Sequence, residues 1–230
     1  MNEIPPLYDK ETICLMCSAE FETKRLRSRA VRLLKTYNDF YKEYKDPVLN
    51  PVLYEVNVCI KCGFAYTDQF EPVKAAEDKE LFAEKVTARW NPQNYSLSRT
   101  YNQAVKTFKL AVMAGNITNQ PAVVMAGLSL KLSWIYRFLG TMEEEKRFKH
   151  HAAAYYESSL LNGDFKDKGM SELSLLYLLG ELNRQLNQFV KAGQFFSEVL
   201  QHEQRHLEPQ LLDKAREQWY EAREEMKNTK

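Results

Sequence analysis

From Leu97 onward, apolar residues recur at three- and four-residue intervals with no sustained alternation, the period of helices that bury one face. The spacing predicts helices over 98–114, 122–139, 142–161, 170–186, 189–201 and 210–227. The breakers Gly115-Asn116, Pro121, Gly140, Asn162-Gly163 and Pro209 set their limits. Ahead of this region the pattern changes. Tyr54, Val56 and Val58 alternate with Glu55 and Asn57, which reads as a strand. Residues 24–35 are compatible with strand or helix, and Asp46-Pro47 and Asn50-Pro51 mark loops. Three regions follow: an amino-terminal module over 1–72, a connecting segment over 73–96 with a helix near 77–88, and a helical domain over 97–230.

The helical part repeats itself faintly. Ala104, Phe108 and Ala111 share their spacing with Ala152, Tyr156 and Ser159, and with Ala192, Phe196 and Val199. On a helix such residues lie on one face, where the small one admits a neighbouring helix and the aromatic one fills the groove beside it. With Leu176, Leu179 and Gly180 ahead of Ala192 and Phe196, this stretch resembles the tetratricopeptide repeat. The offsets of 48 and 40 residues between sets depart from its period of about 34, and a generic helical bundle is the competing reading. The expected fold class is therefore mainly α: a tetratricopeptide-like α-solenoid behind a small β-containing, zinc-ribbon-like module. Such solenoids hold a peptide or partner helix in a groove. Candidate groove residues are Lys131, Trp134, Arg137, Tyr177, Glu181 and Arg184, each of which could equally be core packing or an internal ion pair.

Composition changes the picture at one point. All four cysteines of the 230-residue chain precede residue 63, as Cys14-Leu-Met-Cys17 and Cys59-Ile-Lys-Cys62. A two-residue spacer lets both sulfurs of a pair reach one ion, and four thiolates make a closed tetrahedral site. One structural Zn2+ on Cys14, Cys17, Cys59 and Cys62 is the expectation, and a thiol-redox pair or four unrelated thiols are the alternatives. Gly63 suits the turn after the second pair because glycine takes positive φ freely, whereas Ser18 stands at the matching place after the first. Residues 18–58 separate the pairs, against roughly 15–20 in an ordinary ribbon, so a long insertion, a β-hairpin, must leave and return between them.

Charge adds less. The chain carries 32 basic and 31 acidic residues, so no bulk field recruits nucleic acid or an anionic membrane. Lys24, Arg25, Arg27, Arg29, Arg32 and Lys35 form a local basic run that could contact phosphates. Residues 1–72 nevertheless carry ten basic against eleven acidic side chains. Nucleic acid is thus possible but not favoured. His202-Glu-Gln-Arg-His206 matches the H-E-x-x-H zinc-peptidase pattern, yet Arg205 sits between the histidines and the residues fall at an expected helix end before Pro209. No phosphate-binding loop or nucleophile elbow appears, so no catalytic residue is expected. Neither a secretory start nor an uninterrupted apolar span of about 18 residues is present. A cytoplasmic protein without membrane contact is expected, and paired cysteines in a reducing compartment favour metal over disulfides.

The order of motifs carries a resemblance. Tyr8-Asp-Lys10, the two cysteine pairs, Leu132-Ser-Trp-Ile-Tyr-Arg137, Tyr177-Leu-Leu-Gly-Glu-Leu-Asn-Arg184 and Ala215-Arg-Glu-Gln-Trp219 look like the bacterial domain of unknown function 2225 family. That resemblance covers most of the chain and implies zinc knuckles ahead of a tetratricopeptide-like remainder. Leu15, where the first knuckle often carries proline, and Ser18 depart from the pattern without removing a ligand. No reaction is implied. The functional expectation is a non-catalytic adaptor that binds a protein or peptide partner.

Overall fold

A computed structural model describes residues 4–228, which form three short antiparallel hairpins followed by a run of α-helices. Strands β1 (Leu7–Ile13) and β2 (Glu20–Leu26) pair from Leu7↔Leu26 to Ile13↔Glu20. Strands β3 (Leu33–Thr36) and β4 (Lys42–Tyr44) form the hairpin of the long insertion. Strands β5 (Asn57–Val58) and β6 (Ala65–Tyr66) form the third. Each cysteine pair occupies the turn of a hairpin, the first between β1 and β2 and the second between β5 and β6. The Tyr66 hydroxyl donates to the Ile13 carbonyl at 2.7 Å and ties those two hairpins together.

The strand expected over 54–58 shrinks to its last two residues. Asn50 accepts a hydrogen bond from the Val52 amide and starts a 3-10 turn over Pro51–Tyr54. Leu53, Tyr54, Val56, Asn57 and Val58 are all buried, so the alternation in the sequence has no solvent face behind it. The ambiguous stretch 24–35 divides into the end of β2, a 3-10 turn (Ser28–Ala30) and most of β3.

The helices match expectation closely: α1 (Ala76–Lys85), α2 (Tyr101–Ile117), α3 (Ala122–Phe138), α4 (Met142–Asn162), α5 (Glu172–Gln185), α6 (Phe189–Gln201) and α7 (Pro209–Asn228). The start of α2 falls at Tyr101 because Thr100 and Gln103 form a reciprocal capping box. Its end runs past Gly115, which the sequence offered as a stop. A Cβ on Gly115 would lie 2.3 Å from Met125 Sδ, so this glycine serves the close approach of α3. The amino terminus of α3 is capped from a distance: Asp164 accepts from the amides of Ala122 at 2.6 Å and Val123 at 3.3 Å.

Consecutive helices from α2 to α7 pack on one another, and all nine residues of the three small–aromatic sets are buried. One hydrophobic cluster runs from Cys14 through the second cysteine pair and α1 into α2–α5, and a second joins α5, α6 and α7. Arg99 bridges hairpins and helices. It is buried and donates to the carbonyls of Tyr95, Leu53 and Val56 at 2.8, 3.2 and 2.7 Å. Burial pulls its pKa down to about 10, so it stays charged at neutral pH and those carbonyl dipoles balance the charge.

At Gly180 a Cβ would meet the Phe196 ring at 2.5 Å. Gly180→Ala should therefore lower stability by about 1–3 kcal/mol, a fall of roughly 3–10 °C in Tm, with metal content unchanged. Calorimetry and metal analysis on the same sample check both outcomes.

Candidate metal centre

Both cysteine pairs sit in the same local geometry. The Cys14 amide donates to Ala19 O at 2.9 Å and the Ser18 amide to Cys14 O at 3.0 Å. In the second pair the Cys59 amide donates to Phe64 O and the Gly63 amide to Cys59 O, each at 2.9 Å. The fifth residue of each turn is left-handed, Ser18 at φ 58° and Gly63 at φ 77°. Such a turn points its backbone amides inward, and the Met16 amide lies 3.4 Å from Cys14 Sγ.

The four sulfurs lie within 4.8 Å of one another. Cys14 and Cys62 approach to 3.6 Å, Cys17 and Cys59 to 3.7 Å. A tetrahedral ion with metal–sulfur bonds of about 2.3 Å requires sulfur–sulfur edges of about 3.8 Å. All four cysteines are free, and Cys14, Cys59 and Cys62 are buried. Without a metal the sulfurs share protons unequally. Cys59 accepts from Cys14 and Cys62, which pulls its pKa down to about 2. The contact with Cys59 raises Cys14 to about 12, and the contact with Cys14 raises Cys62. The four sulfurs together form a donor set that an ion would complete.

The connecting segment packs on the second knuckle. Trp90 Nε1 donates to Ile60 O at 2.8 Å, and Thr87 Oγ1 donates to Cys62 O at 3.0 Å. The Trp90 ring lies so close to Gly63 that a Cβ there would stand 2.6 Å from it. Gly63 thus answers two demands, positive φ and close approach, whereas exposed Ser18 meets the first alone. Nothing in the sequence near Trp90 signalled this role.

The other candidate residues are placed as follows. Lys131 pairs with Glu55. Trp134 Nε1 donates to Asp39 at 3.2 Å, and Arg137 reaches the same carboxylate at 2.5 Å and Glu145 at 2.8 Å. Tyr177 and Glu181 are fully buried, with Glu181 held by Arg184 at 3.0 Å. In the basic run, Lys24 pairs with Asp9 at 2.5 Å and Arg25 donates to Asn57 at 2.9 Å. Arg27 donates to Pro5 O at 3.2 Å, while Arg29 and Arg32 are exposed. His202 closes α6 and His206 lies in a separate 3-10 turn (Arg205–Leu207), so they do not stand one turn apart on a helix. No helix among the described residues is long and apolar enough to cross a membrane.

A family described as "Uncharacterized protein conserved in bacteria (DUF2225)" matches residues 7–222. The chain belongs to this family. An uncharacterized protein of Borreliella burgdorferi is 24% identical, over 97% of this chain and 98% of its own length. No solved structure matches. The match spans both cysteine pairs and the seven described α-helices, the last of them as far as Ala222.

Substitutions at the two left-handed positions should separate their roles. Ser18→Gly should raise stability by roughly 0.5 kcal/mol, a left-handed penalty of about 1–2 less the extra unfolded-chain entropy of glycine of about 0.5–1. Gly63→Ala should lose about 2–4 kcal/mol, from left-handed strain and the clash with Trp90 together. Denaturant titration of the metal-loaded proteins measures both.

Proposed function

We propose that the chain is a non-catalytic adaptor: one structural Zn2+ staples the amino-terminal hairpins, and the tetratricopeptide-like helical face receives a protein partner. The observation that carries this reading is the four-sulfur cluster. Its edges of 3.6 and 3.7 Å fit tetrahedral Zn2+, and four thiolates leave no position open for water or substrate. Small, borderline-soft Zn2+ suits a thiolate set better than the hard cations that prefer oxygen. Four cysteines without a disulfide also suit a reducing compartment, which supports the cytoplasmic setting included in this proposal.

The partner half of the proposal rests on the helices. Their small–aromatic faces are spent on packing neighbours together, and Trp134 on α3 stays half-buried, with its indole nitrogen donating to Asp39. Nucleic acid is the weaker reading, since Lys24, Arg25 and Arg27 are engaged within the module. The H-E-x-x-H stretch gains no support from histidines placed on separate elements.

Metal analysis combined with co-purification tests both halves. The chain should carry one zinc, lost in Cys14→Ser and kept in His206→Ala. A stoichiometric protein should co-purify from cells producing the chain at native level, and its recovery should fall several-fold with folded Trp134→Ala. Zinc lost on His206→Ala, or no partner across a range of salt, overturns the reading.

A further inference from the structure

Side chains of α3, α5 and α7 line a seam that the tip of this chain's own insertion hairpin fills. The tip is a tight turn: the Tyr37 amide donates to Tyr41 O at 2.8 Å and the Phe40 amide to Tyr37 O at 3.0 Å. Asp39 is wholly buried and lies in a bidentate grip, with Arg137 Nη1 at 3.3 Å and Nη2 at 2.5 Å and Trp134 Nε1 at 3.2 Å. Phe40 sets its ring 5.5 Å from that of Tyr177 on α5 and under Lys214 of α7 at 5.9 Å. Tyr41 lies 6.0 Å from Trp134 and 5.2 Å beneath the Arg137 guanidinium. Burial alone would lower the Arg137 pKa, but the hydrogen bonds and charges of Asp39 and Glu145 outweigh it and raise it. Arg137 is thus a cation held between two carboxylates, Asp39 of the tip and Glu145 of α4.

Phe40 is held at φ 63°, a strained conformation for a bulky side chain that persists where surrounding contacts impose it. Two features show that the tip nevertheless leaves the seam incompletely filled. The Tyr177 hydroxyl beneath it is buried with no hydrogen-bond partner. Cavities of about 340 Å³ and 450 Å³ flank the tip, one walled by Tyr41, Tyr44, Tyr101 and Trp134, the other by Phe40, Ser174, Leu211 and Lys214. The resident thus leaves unfilled volume and an unpaired donor on a surface that already selects one negative charge followed by two aromatic rings.

We infer that this seam reads a turn in which an acidic residue precedes two aromatic residues on a partner protein, and that Asp39-Phe40-Tyr41 is its stand-in when that partner is absent. The inference rests on the adaptor reading and names the partner's chemistry. A second copy of this chain is a poorer occupant, because exchanged tips only re-form the contacts they leave. A separate partner can offer a turn that also fills the flanking cavities. It must also displace a tip tethered in cis, at an effective concentration on the order of millimolar, so binding strengthens as the tip is weakened.

The probe is a fluorescent, end-cyclised peptide with the sequence of residues 35–45, titrated by anisotropy against the full zinc-loaded chain. The double variant Asp39→Ala/Phe40→Ala should bind it at least tenfold more tightly than the unmodified chain. That gain should vanish when the peptide's aspartate becomes asparagine, and when Arg137→Gln is added to the protein. Should the double variant not fold, Asp39→Asn preserves shape while releasing Arg137, and the same tenfold difference is expected of it. Equal binding to the intact and tip-weakened chains overturns the inference, as does absent binding or indifference to Arg137→Gln. A co-purified partner whose capture ignores Arg137→Gln would leave the adaptor reading standing and remove this site.

Discussion

Sulfurs from segments 42 and 48 residues apart in sequence must meet at one point, and that requirement directs the path of the amino-terminal third. Because each pair sits in a hairpin turn, closing the cluster brings two hairpins together edge on, and the 41 intervening residues must depart and return. Their route is not free loop. It is punctuated by Asn50 capping a 3-10 turn and by Arg25, whose guanidinium donates to the Tyr54 carbonyl and to Asn57. The sulfur cluster thus ties off a long loop, where an ion joining its ends would remove the most entropy from the unfolded chain. It is embedded in the main hydrophobic cluster as well, since Trp90 lies over the second knuckle and Phe64 packs against Phe82 and Phe70. The helices extend that cluster, so metal site and helical region share one interior.

Electrostatics follow the same local logic. The nearly balanced net charge is not an even scatter of solvated residues. Lys24 with Asp9, Lys131 with Glu55, Arg137 with Asp39 and Arg184 with Glu181 each join one cation to a nearby or distant acid. Pairs that include a fully buried carboxylate, Asp39 or Glu181, contribute less to net stability than to uniqueness, because desolvation offsets much of their attraction. Asp39 matters in that sense. It accepts from Arg137 and Trp134 on α3 and so fixes where the hairpin tip lands on the helices.

Much of this was legible in the sequence, and the gaps have physical causes. Helix α6 falls at its expected limits, and the other long helices lie within three residues of theirs, because period 3.6 and local caps are written in neighbouring residues. Gly115 misled because a glycine signals either a stop or a close approach, and Met125 decides which from another helix. Tyr54–Val58 alternates like a strand, but burial on every side and the Asn50 cap override the period. The sulfur cluster could be read from spacing. The docking of residues 37–41 could not: Arg137 stood out as a groove candidate, but nothing tied it to Asp39, 98 positions away. Arg99 was hidden likewise: nothing around an arginine expected in the first turn of a helix over 98–114 foretells burial among three carbonyls.

The central claim is that the metal staple holds the insertion, tip included, onto helices that remain folded on their own packing. Hydrogen exchange with and without a chelator addresses it directly. The account predicts that metal removal exposes the amides of Cys14, Ser18, Cys59 and Gly63 together with those of Tyr37 and Phe40, while α5, α6 and α7 keep their protection. Unchanged exchange at Tyr37 and Phe40, or an equal loss of protection through α5–α7, would contradict it.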